Sequence, residues 1–196
     1  MNEFGLWFIT GVEHILDLSG YDHILFVALL VIAFPLKQWR NLLMLITAFT
    51  VGHSISLALS VNGIVSFSIK WIEFLIALSI LISAVYQIIK YKTENIRNKS
   101  FLYVIITLFG LVHGLGFSIL LKSMLGHEDS IVLPLLYFNL GIELGQIIIV
   151  VIVLVFSLIL NYLFKWSYTY FKLTVSCSIA LIALKMSAER FLELLP

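Results

Sequence analysis

Apolar residues run through seven stretches of this chain, separated by short polar or turn-forming segments. The first stretch, 3–18, is the shortest and turns polar at its end (Glu13, His14, Asp17). A Ser19-Gly20 break follows, then an apolar helix predicted over 21–35 that stops near Pro35, whose ring disfavours continuation. Further helices are predicted over 38–60, 67–90, 100–122, 131–160 and 170–194. Asn62-Gly63 marks a turn, 90–99 is a solvated loop, and 123–130 is a polar loop holding His127, Glu128 and Asp129. A membrane-spanning helix needs roughly 20 apolar residues. Six stretches are read as spans, whereas 3–18 either spans or lies at the interface.

Composition turns that pattern into a class. Hydrophobic residues make up 61% of the chain and charged ones 12%, against about 25% charged in soluble domains; mean hydropathy is +1.09. The expectation is an all-α, polytopic integral membrane bundle of six to seven transmembrane helices, forming a single domain over 1–196. A net charge of +1 gives no electrostatic case for nucleic acid, and the lone Cys177 supplies neither an internal disulfide nor a thiolate cluster. The start lacks a basic n-region and a small-residue cleavage site, so it is expected to belong to the mature protein. Lys and Arg collect in alternate loops: Lys37 and Arg40; Lys90, Lys92, Arg97 and Lys99; Lys165 and Lys172. Those loops are expected to face the cytoplasm. The 61–66 turn, the 123–130 loop (Lys122 offset by Glu128 and Asp129) and the C-terminus then face outward.

Ionisable residues within apolar helices carry the functional expectation, since each costs about 2.5–3.5 kcal/mol to insert. Here they are Asp22 and His23, His53, Glu73, His113, Glu143 and Lys185, with His14 just before. Given the predicted orientation and 1.5 Å per residue, these side chains fall within roughly 10 Å of one level on the outer side of the midplane. Asn139, Glu143 and Gln146 share one helix face. Gly52, Gly114, Gly116, Gly141 and Gly145 flank the polar positions and permit close helix approach. Thr47-Ala-Phe49-Thr-Val-Gly-His53 also aligns with Thr107-Leu-Phe109-Gly-Leu-Val-His113, each followed by a helix carrying Ile-Glu (Glu73, Glu143). That pattern is a weak parallel repeat of a kind found in transporters.

Imidazoles with carboxylates and no thiolate suit a borderline divalent ion such as Zn²⁺, Ni²⁺ or Co²⁺. The expected ligands are His14, Asp22, His23, His53, His113 and Glu143, supported by Glu73, Asn139, Gln146, Lys185 and Ser54. Lys185 is read as a counter-charge, and aromatic residues near helix ends as interface anchors. Partners are the lipid bilayer and the metal ion, and a homo-oligomer is left open. Three functions stay in play. The first is a metal permease, for which the apolar inner halves (42–45, 150–154) offer little through-path. The second is an intramembrane metal-dependent hydrolase or transferase at the outer leaflet. The third is a metal-sensing or metal-stabilised membrane subunit.

At the same residues the chain resembles the HupE/UreJ family of hydrogenase and urease accessory membrane proteins. The matching stretches are Gly11-Val-Glu-His14-Ile, Gly20-Tyr-Asp22-His23-Ile-Leu-Phe26, Phe49-Thr-Val-Gly-His53-Ser, Phe109-Gly-Leu-Val-His113-Gly-Leu-Gly116-Phe and Phe138-Asn139-Leu-Gly-Ile-Glu143-Leu-Gly-Gln146. The resemblance implies a bacterial inner-membrane nickel or cobalt permease. It places a histidine–aspartate–histidine motif on His14, Asp22 and His23 and a His-Gly motif on His113 and Gly114. The gap from His14 to Asp22 is longer than in the better-known nickel permeases. No glutamate follows the His-Gly pair closely on the same helix, and Glu143 on the next helix would have to replace it.

Overall fold

A computed structural model describes residues 2–34, 38–92, 99–125, 130–165 and 167–195. Lys37, Arg97 and the 127–129 group lie outside them. The described residues form seven helices and no strand: α1 (Glu3–Leu16), α2 (Asp22–Ala33), α3 (Trp39–Val61), α4 (Ile69–Ile89), α5 (Lys99–Leu125), α6 (Val132–Phe164) and α7 (Tyr168–Leu192).

Local chemistry sets the boundaries. Asn2 caps α1 by accepting the Gly5 N–H at 3.0 Å, and Glu3 in the first turn suits the positive end of the helix. The Asp17 carboxylate accepts the Ser19 N–H at 2.8 Å, closing a turn just past the end of α1. α2 stops at Phe34, which is extended (φ −118°, ψ 131°), as a residue before proline should be. The Asn62-Gly63 turn is a Schellman motif: Gly63 N–H donates to Ser60 O and Ile64 N–H to Leu59 O, both at 3.0 Å. It needs a left-handed residue after the helix, and Gly63 supplies it at φ +71°.

Five helices, α3 to α7, are long and apolar enough to cross a membrane. α2 is not: the expected span over 21–35 contracts to 12 residues, about 18 Å. α1 has 14, about 21 Å. Phe4 lies beside Tyr137 near the start of α6, with ring centroids 5.1 Å apart. At the other end, the Tyr168 hydroxyl lies 3.0 Å from Ile32 O and 2.8 Å from Phe34 O, tying the end of α2 to the start of α7. Both short helices therefore run in the same sense as α6, the first entering and the second leaving. Together they make one broken passage, interrupted at residues 17–21.

Three helix pairs make the frame. In α1·α6 and α3·α5 the backbones touch. A Cβ on Gly11 would strike the Phe138 carbonyl, one on Gly141 the Phe8 carbonyl, one on Gly52 the Thr107 carbonyl and one on Gly110 the Phe49 carbonyl. Farther along, Gly145 meets Ile15 and Gly114 meets Ser56, so contacts advance along both helices together, both pairs are parallel, and the two segments of the sequence repeat lie side by side. α4 and α7 are antiparallel, with Lys70 Nζ 3.0 Å from Glu193 O and Arg190 Nη1 3.1 Å from Glu73. α2 is apolar on every side and buried along its length (Phe26, Val27 and 29–32). A helix of that kind belongs at the centre of a bundle, and α2 sits there, against α6, α4, α7, α1 and α3. Outward faces carry Met44, Val51, Ile82, Val104, Ile152 and Phe156, an apolar exterior that matches hydrocarbon rather than water.

Candidate functional site

Because α2 is central, its first turn delivers His23 to the middle of the bundle. His14 arrives from α1, His53 from α3 and His113 from α5. Ring centroids lie 4.7 Å apart for His14–His23, 5.3 Å for His23–His113, 5.8 Å for His14–His53 and 6.1 Å for His23–His53. Four imidazoles from four helices thus form one cluster. The α3·α5 crossing explains half of it. Close approach at Gly110 and Gly114, where a Cβ would meet the His53 carbonyl and Ser56 Oγ, brings the backbones of His53 and His113 together. Ser56 Oγ donates to His53 O at 2.9 Å, and Ser54 Oγ to Thr50 O at 2.6 Å.

Three of the imidazoles are buried (His53 is 0%, His113 1% and His23 6% exposed) and His14 is half-buried. Both ring nitrogens of His23 and His53, and Nε2 of His14 and His113, lack hydrogen-bond partners among the described residues. Burying such groups unpaired costs roughly 1–3 kcal/mol each, so a fold that only needed stability would not collect them in one place. His113 Nδ1 lies 2.8 Å from Phe109 O. A carbonyl oxygen only accepts, so in the neutral ring Nδ1 carries the hydrogen and Nε2 keeps its lone pair. Ligating histidines are commonly oriented through this kind of contact. The Asp22 carboxylate accepts the His23 N–H at 2.9 Å and approaches His23 Nδ1 to 3.0 Å, the latter without hydrogen-bond geometry.

A shell of phenylalanines surrounds the rings. Phe117 stands 3.9 Å from His14, Phe49 5.1 Å and Phe26 5.6 Å from His113, and Phe138 5.8 Å from His14. The sequence reading did not assign these to the site. Helical spacing could have done so for two of them: Phe49 precedes His53 by four residues and Phe26 follows His23 by three, both same-face intervals.

Glu143, expected as a ligand, pairs with a threonine rather than with the imidazoles, and the expected supporting residues divide. Gln146 is buried and accepts from Thr50 Oγ1 at 2.9 Å, and Glu143 accepts from Thr47 Oγ1 at 2.6 Å. A polar strip between α3 and α6 therefore continues from the His53 face by way of Thr50. The Asn139 Oδ1 atom is buried and unpartnered. Glu73 belongs elsewhere, paired with Arg190 rather than with a histidine or Lys185. Lys185 is a correction too: its side chain is 75% exposed and lies 3.6 Å from Glu189, so it neutralises no member of the cluster. Among the described residues no three His, Cys, Asp or Glu side chains are arranged so that they could hold a metal ion. The imidazoles stand as neighbours, not as a formed chelate.

Seven helices, five of spanning length, and a buried cluster of imidazoles define a polytopic membrane protein with polar chemistry enclosed in its bundle. The chain belongs to the HupE / UreJ protein family, whose model matches residues 1–192. No curated protein and no solved structure matches the chain.

Proposed function

We propose that the chain is a divalent-metal permease, with Ni²⁺, Co²⁺ or Zn²⁺ as the transported ion. The ion passes through the cluster of His14, Asp22, His23, His53 and His113. The observation that carries this reading is the set of unpartnered, buried imidazole nitrogens contributed by four different helices. Family membership supports it, since a nickel or cobalt accessory role suits such nitrogens. Nε2 of His113 is already aimed as a lone pair, and the other rings bind by turning about their side-chain torsions. The polar strip Thr50–Gln146 and Thr47–Glu143 offers further oxygens beside the cluster, while Leu42, Leu45, Ile149 and Val150 keep the inner halves apolar. With the loops rich in Lys and Arg on the cytoplasmic side of a bacterial inner membrane, the cluster lies in the extracytoplasmic half.

Metal analysis of purified protein, followed by uptake into liposomes, tests this reading. Wild-type protein is expected to bind and pass one of the three ions, and His53→Ala or His113→Ala to lose at least tenfold in both. Bound metal without uptake would remove the permease reading. Unchanged metal content in both variants would remove the site.

A further inference from the structure

Beside the imidazole cluster, where the α1–α2 break meets the last turns of α7, lies an open cavity of about 550 Å³. Gly20 and Asp22 line one side, and Glu189, Arg190 and Glu193 the other. Asp22 belongs to both places: it faces this cavity, and its carboxylate stands 3.0 Å from His23 Nδ1. Cavity and cluster are therefore one residue apart.

The charges around the cavity favour a cation. Arg190 is clamped by Glu73 at 3.1 Å and Glu193 at 3.2 Å, and Lys185 lies 3.6 Å from Glu189. Lys70 is held by the Glu193 carbonyl at 3.0 Å. Each positive group is thus tied to an oxygen acceptor, while Asp22 approaches an imidazole that has no other polar partner. Size agrees as well. At about 30 Å³ per water, an ion with six waters occupies about 200 Å³, which this space accommodates with its hydration shell intact.

We infer that this cavity is the mouth by which a hydrated divalent cation enters, and that Asp22 receives the ion and passes it to His23. The inference rests on the proposed metal-handling function and adds the entrance to it. Low-dielectric walls lined by carboxylates concentrate cations and raise association rates by about 10- to 1,000-fold. Blocking the mouth should therefore slow loading without changing how much metal is finally held.

Gly20 provides the plug. A Cβ there would lie 3.8 Å from Asp22 Oδ1, an ordinary contact, so a large side chain has room to grow into the cavity. Gly20→Trp in the full chain, purified in detergent and mixed with Ni²⁺, Co²⁺ or Zn²⁺ alone, is expected to bind at least tenfold more slowly and reach the wild-type metal content. Ile64→Trp, at the same end of the bundle on an exposed turn residue, should bind at the wild-type rate. If Gly20→Trp does not fold, Ser19→Trp fills the same cavity and is measured in the same way. Wild-type protein that binds none of the three ions overturns the metal function and the mouth with it. Wild-type binding with an unchanged rate in the plugged variant overturns the mouth alone. Loss of the final metal content in a folded plugged variant also overturns it, because the plug would then be acting on the site itself.

Discussion

A single contact, Phe109 O to His113 Nδ1, fixes which nitrogen of that ring is free. Replacing His113 by Gln keeps a polar group of similar reach but loses the imidazole lone pair. Such a protein should fold normally and lose at least tenfold in metal affinity, measured by titration in detergent. The carboxylates behave differently. Glu73 and Arg190 are partly exposed, and an ion pair of that kind contributes about 0–1 kcal/mol. Glu73→Gln is therefore expected to shift thermal stability only slightly and to leave metal content unchanged; a loss of metal would put Glu73 back in the site. His53 and His113 were legible in the sequence because each interrupts an apolar run, and His23 because it opens one beside Asp22. The fate of Glu73 was not, because residue position gives depth along a helix but not its rotation. α4 turns Glu73 toward α7, and no signal within α4 could say so.

At the level of helices, the two glycine crossings hold the cluster together. A methyl group at Gly110 or Gly11 would meet a backbone carbonyl, which cannot move aside as a flexible side chain can. Overpacking of this kind costs about 1–3 kcal/mol. Gly110→Ala should accordingly lower thermal stability and weaken metal binding together, since it pushes His53 away from His113. Gly11→Ala should do the same through α1 and His14. A stable Gly110→Ala protein with unaltered binding would contradict the crossing. Helix positions were largely readable from apolar runs and turn residues, with boundaries within a few residues for most. What the apolar runs misjudge is the role of α2, not its bounds. Its apolar run suggested a span, but the turn at 17–21 and the proline after Phe34 confine it to 12 residues. Apolar sequence at the centre of a bundle looks the same as apolar sequence facing lipid.

Across the whole molecule, one broken passage and five full ones would put the start of α1 and the end of α7 on the same side of a membrane. Reporter domains fused separately to the two termini should therefore give the same compartment signal, with the opposite signal from a fusion in the 90–99 loop. Opposite signals from the two termini would refute the broken passage. A helical membrane bundle was apparent from composition, yet its pairing was not. α1 docks on α6 and α3 on α5, and neither partnership can be read from periodicity, because lipid-facing and helix-facing surfaces are both apolar here.

The docking of α1 on α6 also fixes when the protein becomes competent. During synthesis His14 is made more than a hundred residues before the helix that holds it in place, Val132–Phe164. Until then a short, half-length helix has nothing to lie against, and only His53 and His113, on the α3·α5 pair, have their frame. A ribosome stalled before residue 132 would leave a membrane-inserted chain with His23, His53 and His113 present and His14 adrift.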